Sequence, residues 1–306
     1  MIEPRGSMQG ASQIYRSFTL TLEDYCFIIF LMMHCPTEKI NNPRMELFKL
    51  LSYFLITFAN LNLQYMSLAK ELNKQGNLLF KYRGTLPLII LSVALLVFIL
   101  KLQAPNTSLT PHYYALCCLA VALFGQFIRF ITVGYTANLT SGRNTKGQMA
   151  NVLNTKGIYS IVRHPLYLGN FFMWLGLCLL TQNLWFTISF ILIYWVYYER
   201  IMFAEEAFLT KKFGDTYLDW ASARPAFLPN FTIWQSTTSN INWKKILLNE
   251  KNGITALFSL FWLFNFIEIG VTTKIWSLKP NLWLYSMLVS IIYYILMKVL
   301  MKMRLI

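Results

Sequence analysis

Long apolar stretches alternate with short polar loops along most of this chain. Six stretches have, or nearly have, the length of a membrane helix: Leu86–Leu102, His112–Gly134, Leu166–Thr181, Leu184–Phe203, Ile254–Val271 and Leu282–Leu300. Because a bilayer core of about 30 Å needs roughly 20 helical residues, Leu166–Thr181 is short for a full crossing. The pattern predicts an all-α, polytopic membrane protein with about six transmembrane helices.

The connection between the third and fourth stretches consists of Gln182 and Asn183 alone. So short a connection joins neighbouring antiparallel helices. It predicts a tight helical hairpin over residues 166–203, and we expect this hairpin to carry the functional site, because charged residues stand at its open end.

The first 60 residues follow a different pattern and are predicted to be an N-terminal extension. Their apolar run Cys26–Met33 is too short to cross a bilayer. Leu47–Ala59 is predicted to be an interfacial helix, with a membrane span as the alternative. Residues 61–306 are predicted to form the membrane domain, in which residues 254–300 supply two further spans after the hairpin.

Composition agrees with a membrane protein. The 306 residues are 56% hydrophobic and 13% charged, against about 25% charged residues in ordinary soluble domains. A net charge of +14 would suggest nucleic-acid binding in a soluble protein, but no nucleic-acid-binding motif is present. The basic residues lie in loops between apolar stretches, where the positive-inside rule and anionic lipid headgroups account for them.

The distribution of the basic residues also predicts an orientation. Loops 135–165 and 204–252 and the C-terminus are rich in lysine and arginine, whereas loops 103–111 and 182–183 carry no charge. With six spans, all the basic loops fall on one side, which the positive-inside rule makes the cytoplasmic side. We therefore expect an integral membrane protein with its site on the cytoplasmic face.

Metal and disulfide chemistry are not expected. The five cysteines form no CxxC pair, and the three histidines are too few for a multi-histidine cluster. Most of the cysteines lie in apolar runs, where they are predicted to be small buried hydrophobes.

Charged residues gather at the open end of the predicted hairpin. Arg163 and His164 precede Pro165, and proline suits the first turn of a helix because its missing N–H is not needed there. A helix N-terminus favours an anionic group such as a carboxylate or phosphate. Glu205 and Glu206 end the second hairpin helix and would suit the cationic part of the same ligand. The sequence predicts a site for a zwitterion.

Further cations are expected on the same face. The segment 135–155 is rich in turn-forming Asn, Thr, Ser and Gly and contains Arg143 and Lys146. Arg129 lies one turn from the end of its predicted span, where it either snorkels to the surface or points into the site. We expect Arg129, Arg143 and Lys146 to bind the substrate, with an ordinary cytoplasmic loop as the alternative for residues 135–155.

The ordered motifs of the hairpin region resemble a known family. Gly-x-Tyr-x-x-x-Arg-His-Pro-x-Tyr-x-Gly at residues 157–169, then Glu205-Glu206, then Phe-Gly-x-x-Tyr at residues 213–217 are similar to the membrane methyltransferases. That group includes isoprenylcysteine carboxyl methyltransferases and phospholipid N-methyltransferases. The resemblance covers residues 154–229 and makes residues 112–230 the expected methyltransferase core.

The resemblance implies that S-adenosylmethionine binds between the hairpin helices and the cytoplasmic segment after them, and that a lipid substrate enters from the bilayer. It implies a cofactor pocket with these lining residues: Tyr159, Arg163, His164, Tyr167, Gly169, Glu205 and Glu206. Among them Arg163, His164 and Glu206 are expected to be catalytic, and which of the two adjacent glutamates contacts the cofactor is left open.

Two other classes are weighed against this one. NADPH-dependent steroid and sterol reductases have a similar fold, but their motif resembles His-Pro-Asn-Tyr with an acid after the glycine. Here Leu166 and Asn170 occupy those places, which favours methyl transfer. A non-catalytic membrane scaffold or transporter is the third hypothesis.

Charge suggests the methyl acceptor. An oxyanion needs no general base, whereas a protonated amine does, and the surplus of cations suits an oxyanion. We expect O-methylation of a lipid phosphate or carboxylate, with isoprenylcysteine carboxyl methylation and phosphatidylethanolamine N-methylation as alternatives. The loop 140–146 is similar to that of bacterial relatives thought to methylate the phosphate of lipid A, which implies a bacterial inner membrane.

Overall fold

The computed structural model describes residues 68–104, 109–136, 148 and 150–303. These residues form the following α-helices: α1 Leu68–Lys81, α2 Leu86–Leu102, α3 His112–Tyr135, α4 Pro165–Leu180, α5 Leu184–Phe213, α6 Asp215–Ser222, α7 Trp243–Thr273 and α8 Leu282–Lys302. Short 3-10 helices occupy Ile158–Ser160 and Phe231–Ile233. The part of the chain described contains no β-sheet, so the all-α prediction is confirmed.

All six apolar stretches form helices. Within the described ranges, α3, α5, α7 and α8 are long and apolar enough to cross a membrane, while α2 and α4 are shorter apolar helices. The polytopic membrane architecture is therefore confirmed, with four full-length candidate spans and two shorter apolar helices among the six predicted stretches.

The predicted hairpin is confirmed. Helix α4 ends at Leu180 and α5 begins at Leu184. Asn183 makes the turn stable, because its side chain accepts a hydrogen bond from the backbone N–H of Phe186 at 2.9 Å and so caps α5. Gln182 takes a positive φ of 50° in this turn.

Helix α5 carries the chain out of the bilayer. Its 30 residues correspond to about 45 Å of helix, against a hydrocarbon core of about 30 Å. The excess lies at its C-terminal end, which holds Glu205 and Glu206. The helix stops at Gly214, whose φ of +56° is a conformation that other residues rarely adopt.

Helices α3 and α4 pack unusually closely because glycines face each other across their contact. A Cβ atom on Gly176 would lie 2.5 Å from the carbonyl oxygen of Cys118, and one on Gly125 would meet the backbone of Gly169 and Met173. Small residues let the two backbones approach this closely. Inside a bilayer the hydrophobic effect does not drive helices together, so close packing of this kind is what holds them. The contact holds the start of α4 in place relative to α3.

Helix α7 begins earlier than the sequence predicts. It starts at Trp243, with Asn242 accepting a hydrogen bond from the Lys245 N–H at 2.9 Å as its cap, whereas the predicted span began at Ile254. The polar residues of this first part suggested a loop. One of them, Glu250, is instead buried at 1% exposure against α3, which explains why the helix continues there.

Helix α1 was not predicted, because its sequence is rich in polar residues. It packs along the C-terminal half of α5, where Gly76 lies directly against the backbone of Arg200. The Tyr197 hydroxyl donates to the Leu79 carbonyl at 3.1 Å. The predictions for residues 1–60 fall outside the described residues.

The glycine contact between α3 and α4 yields a stability prediction. Gly125→Ala places a methyl group against the Met173 backbone nitrogen, 2.6 Å away. Overpacking of this kind costs about 1–3 kcal/mol, which exceeds the gain of up to about 1 kcal/mol from alanine's helix propensity. We expect a lower thermal unfolding temperature in detergent.

Gly84→Ala is the matched control, because a Cβ there has no atom within 4 Å. It should change stability by less than about 0.5 kcal/mol. Equal stability of the two variants would contradict the close contact of α3 with α4.

Candidate functional site

The Arg163-His164 pair is held by backbone hydrogen bonds to a later stretch of chain, residues 223–235, which we call the exit segment. The Arg163 N–H donates to the Pro225 carbonyl at 2.9 Å, and the His164 N–H donates to the Ala226 carbonyl at 3.1 Å. Gly157, at the other end of the motif, donates to Gln235 at 2.9 Å. The motif therefore lies between the hairpin and the exit segment and is fixed from both sides.

The start of α4 has the predicted geometry. His164 is the N-cap residue and Pro165 is in the first turn. The His164 side chain makes no capping hydrogen bond to the helix, so its ring is turned instead toward the acids of α5.

Glu206 is the buried centre of the site, at 7% exposure. Its Oε2 accepts a hydrogen bond from Arg163 Nη1 at 2.7 Å. Its Oε1 lies 2.9 Å from His164 Nε2. A buried carboxylate is stable only with such compensation, since removing one partner of a buried pair leaves an uncompensated charge.

Glu205 has a different environment, although it is adjacent in sequence. Its side chain is 31% exposed, and its Oε2 is 3.6 Å from His164 Nδ1. The Tyr167 hydroxyl donates to the same oxygen at 2.9 Å. The His164 ring therefore lies between the two carboxylates, and of the two acids Glu205 is the one that a ligand can reach.

Stacked tyrosines form the wall of the site inside the hairpin. The Tyr167 ring lies 4.8 Å from that of Tyr198, which in turn stacks on Tyr194 at 4.2 Å. The Tyr194 hydroxyl donates to the Tyr167 backbone carbonyl at 2.7 Å. This wall presents π-faces, which attract cations, directly beside the acidic pair.

Tyr159 approaches from the loop that precedes α4. Its ring packs with Tyr217 and Trp220 of α6 in a small hydrophobic cluster. Burial away from water raises the pKa of Tyr159 well above its usual value, and the nearby Glu205 carboxylate raises it further. Its hydroxyl is therefore a neutral hydrogen-bonding group at physiological pH.

Arg129 points inward, where its guanidinium is bound by protein groups. It donates to Glu250 through Nε at 2.8 Å and through Nη2 at 2.6 Å. Nη1 donates to the Asn170 Oδ1 at 2.6 Å. Gln126 adds a hydrogen bond to Glu250 at 2.9 Å. This network joins α3, α4 and α7 just below the tyrosine wall.

The structure brings most of the predicted site residues together. Arg163, His164, Tyr167, Glu205 and Glu206 are in direct contact. Gly169 is placed in the contact with α3, where a Cβ would lie 2.7 Å from the Cγ of Arg129. Its role in cofactor binding stays a prediction.

The remaining predictions concern the substrate. Arg143 and Lys146 lie outside the described residues. Arg129 is engaged by Glu250 and Asn170, so its role as a substrate ligand also stays a prediction. Sequence reasoning missed Glu250, an acid four residues before the predicted span that begins at Ile254, and that position was the available signal.

Comparison with known proteins shows which family this region of the chain resembles. Residues 111–216 match the phospholipid methyltransferase family. A protein-S-isoprenylcysteine O-methyltransferase of Schizosaccharomyces pombe is 32% identical over 121 residues, which are 38% of this chain and 50% of the relative. The corresponding enzyme of Saccharomyces cerevisiae is 35% identical over 105 residues, or 34% of this chain and 43% of the relative.

The cobalt-zinc-cadmium resistance protein CzcN of Cupriavidus metallidurans is 32% identical over 93 residues, 30% of this chain and 43% of that protein. The chain thus spans half or less of the length of these three relatives. No solved structure matches it. The matched region contains the Arg163-His164 motif, the hairpin and both acids of α5. Residues 111–216 are thus similar to the phospholipid methyltransferase family, and the relatives that share this part of the chain include isoprenylcysteine O-methyltransferases.

Proposed function

We propose that this protein is an S-adenosylmethionine-dependent methyltransferase that methylates an oxygen of a membrane-embedded lipid or lipidated acceptor. One observation carries the proposal. Within a segment that matches a methyltransferase family, a buried carboxylate fixes an arginine and a histidine beside a second, accessible carboxylate. That arrangement offers both signs of charge to one small zwitterionic ligand.

The groups present fit S-adenosylmethionine. Glu205 would hold the ammonium group of its amino-acid end, and Arg163 would hold the carboxylate. Tyr167 and Tyr198 would lie against the sulfonium or the adenine, since aromatic faces attract cations and stack on rings. When bound, S-adenosylmethionine supplies an electrophilic methyl group, and the protein supplies position and charge.

The two glutamates then have different roles. Glu206 is a positioning residue, because both of its oxygens are engaged with Arg163 and His164. Glu205 is the ligand-binding acid, because it is the more exposed of the two and has one tyrosine hydroxyl bound to it. The exit segment holds the backbone of the motif, so this geometry exists before a ligand arrives.

The protein needs no general base for an oxygen acceptor, because a carboxylate or phosphate is already ionised at neutral pH. Its contribution is to hold donor and acceptor in line and to exclude water. Orientation of this kind can supply about 7–11 kcal/mol of the barrier. An ammonium acceptor would require a base as well.

The nature of the acceptor is the finer part of the proposal. The curated names of several relatives specify isoprenylcysteine O-methylation, which supports an oxygen acceptor and a carboxylate in particular. The cation argument for a phosphate is weaker with Arg129 bound to Glu250, and it now depends on Arg143 and Lys146. We keep a carboxylate or phosphate oxyanion, at the cytoplasmic surface of the membrane, as the proposed acceptor.

One prediction of the proposed function separates the two acids. Glu205→Gln removes the accessible charge, and a hydrogen bond to a charged group contributes about 1.5–3 kcal/mol. S-adenosylmethionine affinity should fall about 10- to 100-fold, measured by calorimetry in detergent, with little change in thermal stability. Glu206→Gln should instead lower stability by about 3–5 kcal/mol.

Asp219→Asn is the matched control, because Asp219 is an exposed acid on the neighbouring helix α6. It should change neither affinity nor stability. Glu205→Gln that folds normally and binds S-adenosylmethionine with full affinity would refute the assignment of Glu205.

A further prediction concerns the acceptor. Cells that express the wild-type chain should contain a lipid or lipidated peptide that is heavier by one methylene, about 14 Da, than in cells with Glu205→Gln. Mass spectrometry of total lipids and of prenylated peptides detects the shift, and base lability of the added methyl group separates an ester from an N-methyl amine. A shift confined to a nitrogen headgroup would contradict O-methylation.

A further inference from the structure

A cavity lies at the opposite end of the helix bundle from the acids of α5. It has a volume of about 270 Å³, close to the lower end of small-molecule sites at about 300 Å³. Its walls come from the ends of α2 and α7 and the starts of α3 and α8. Along α3, His112 at the cavity and Arg129 near the tyrosine wall are about 25 Å apart at 1.5 Å per residue.

The cavity contains a buried carboxylate. Glu268 lines it and is 5% exposed. Its Oε1 accepts a hydrogen bond from the Thr110 backbone N–H at 2.6 Å. Its other oxygen accepts no hydrogen bond and forms no salt bridge with any residue that the structure describes. A carboxylate buried in this way is costly unless a cation approaches it.

Aromatic rings make up much of the wall around this carboxylate. Phe98 and Phe264 lie 5.0 Å apart, and Phe261 stacks on Trp283 at 5.4 Å. All four residues line the cavity. Ring faces carry partial negative charge and attract organic cations. The walls and the acid therefore favour the same kind of ligand.

Three further polar groups surround the cavity. Asn265 is held by a hydrogen bond from Asn281 at 3.0 Å. His112 stands at the exposed edge. Lys101 interacts electrostatically with Glu268, but its ammonium donates to the Gln182 side chain at 2.6 Å and it does not line the cavity.

We propose that this cavity binds a small organic ammonium ion, with Glu268 as the counter-charge and the four aromatic rings as the cage. Such a ligand is either a free amine or the headgroup of a lipid. The site is separate from the region that binds the methyl donor, and the proposal stands independently of the methyl transfer.

Choline and 3,3-dimethyl-1-butanol test it, because they share a shape and differ in charge. In detergent, choline should bind the wild-type protein at least tenfold more tightly than the neutral alcohol. Glu268→Gln should remove that difference, whereas Asp219→Asn should keep it. Thermal unfolding and S-adenosylmethionine binding of Glu268→Gln show whether its fold and its other site are intact.

Nanodiscs distinguish the two sources of the cation. If a lipid headgroup fills the cavity, phosphatidylcholine nanodiscs block choline binding and phosphatidylglycerol nanodiscs permit it. If the ligand is a free amine, choline binds equally in both. Equal affinity of the wild-type protein for choline and for the neutral alcohol would overturn the proposal, whether or not Glu268→Gln folds.

Discussion

The Glu206 carboxylate, held between Arg163 and His164, is the interaction on which the rest of the site depends. It joins the start of α4 to the end of α5 at the open side of the hairpin. Each charge in this group would be costly alone in a buried position. Together they neutralise one another, and they leave the neighbouring Glu205 as the exposed member of the cluster. A site for a charged ligand is thus built from groups that first stabilise each other.

The surrounding fold fixes the positions of Arg163, His164 and Glu206. The two-residue connection at Gln182 and Asn183 fixes the hairpin at its far end, and the exit segment fixes the backbone of the motif at its near end. Between these points Asn170 receives a hydrogen bond from Arg129 and also interacts with Tyr198. The tyrosine wall is therefore connected to α3 and, through Glu250, to α7. Rigid support of this kind is what orients reacting groups.

Much of this could be predicted from the sequence, because its strongest signals are local. Apolar length gives the helices, and the short connection after Thr181 gives the hairpin. Proline at the start of α4 gives the position of Arg163 and His164. Each of these depends on a few neighbouring residues and on the thickness of a bilayer.

What was missed depends on contacts between distant parts of the chain. Glu250 looked like a loop residue because its partner, Arg129, is 121 residues away. The contact of Gly169 with Gly125 becomes visible only once α3 and α4 are packed. Helix α1 has too few apolar residues to stand out before α5 is present beside it. Sequence periodicity does not specify which faces meet.

Helix α7 lies outside the region that matches the family and carries two buried acids whose charges are compensated in different ways. Glu250 and Glu268 both lie on α7 and are both buried. They are about five turns apart, so they share one face of that helix. At the N-terminal end of this face Arg129 neutralises Glu250 with two hydrogen bonds. At the opposite end Glu268 accepts a hydrogen bond from one backbone N–H and lines a cavity. Helix α7 thus has one carboxylate that is compensated by direct hydrogen bonds from Arg129. The other, Glu268, lines an aromatic cavity and interacts electrostatically with Lys101, which does not line it, so the proposed ammonium ligand would complete its compensation.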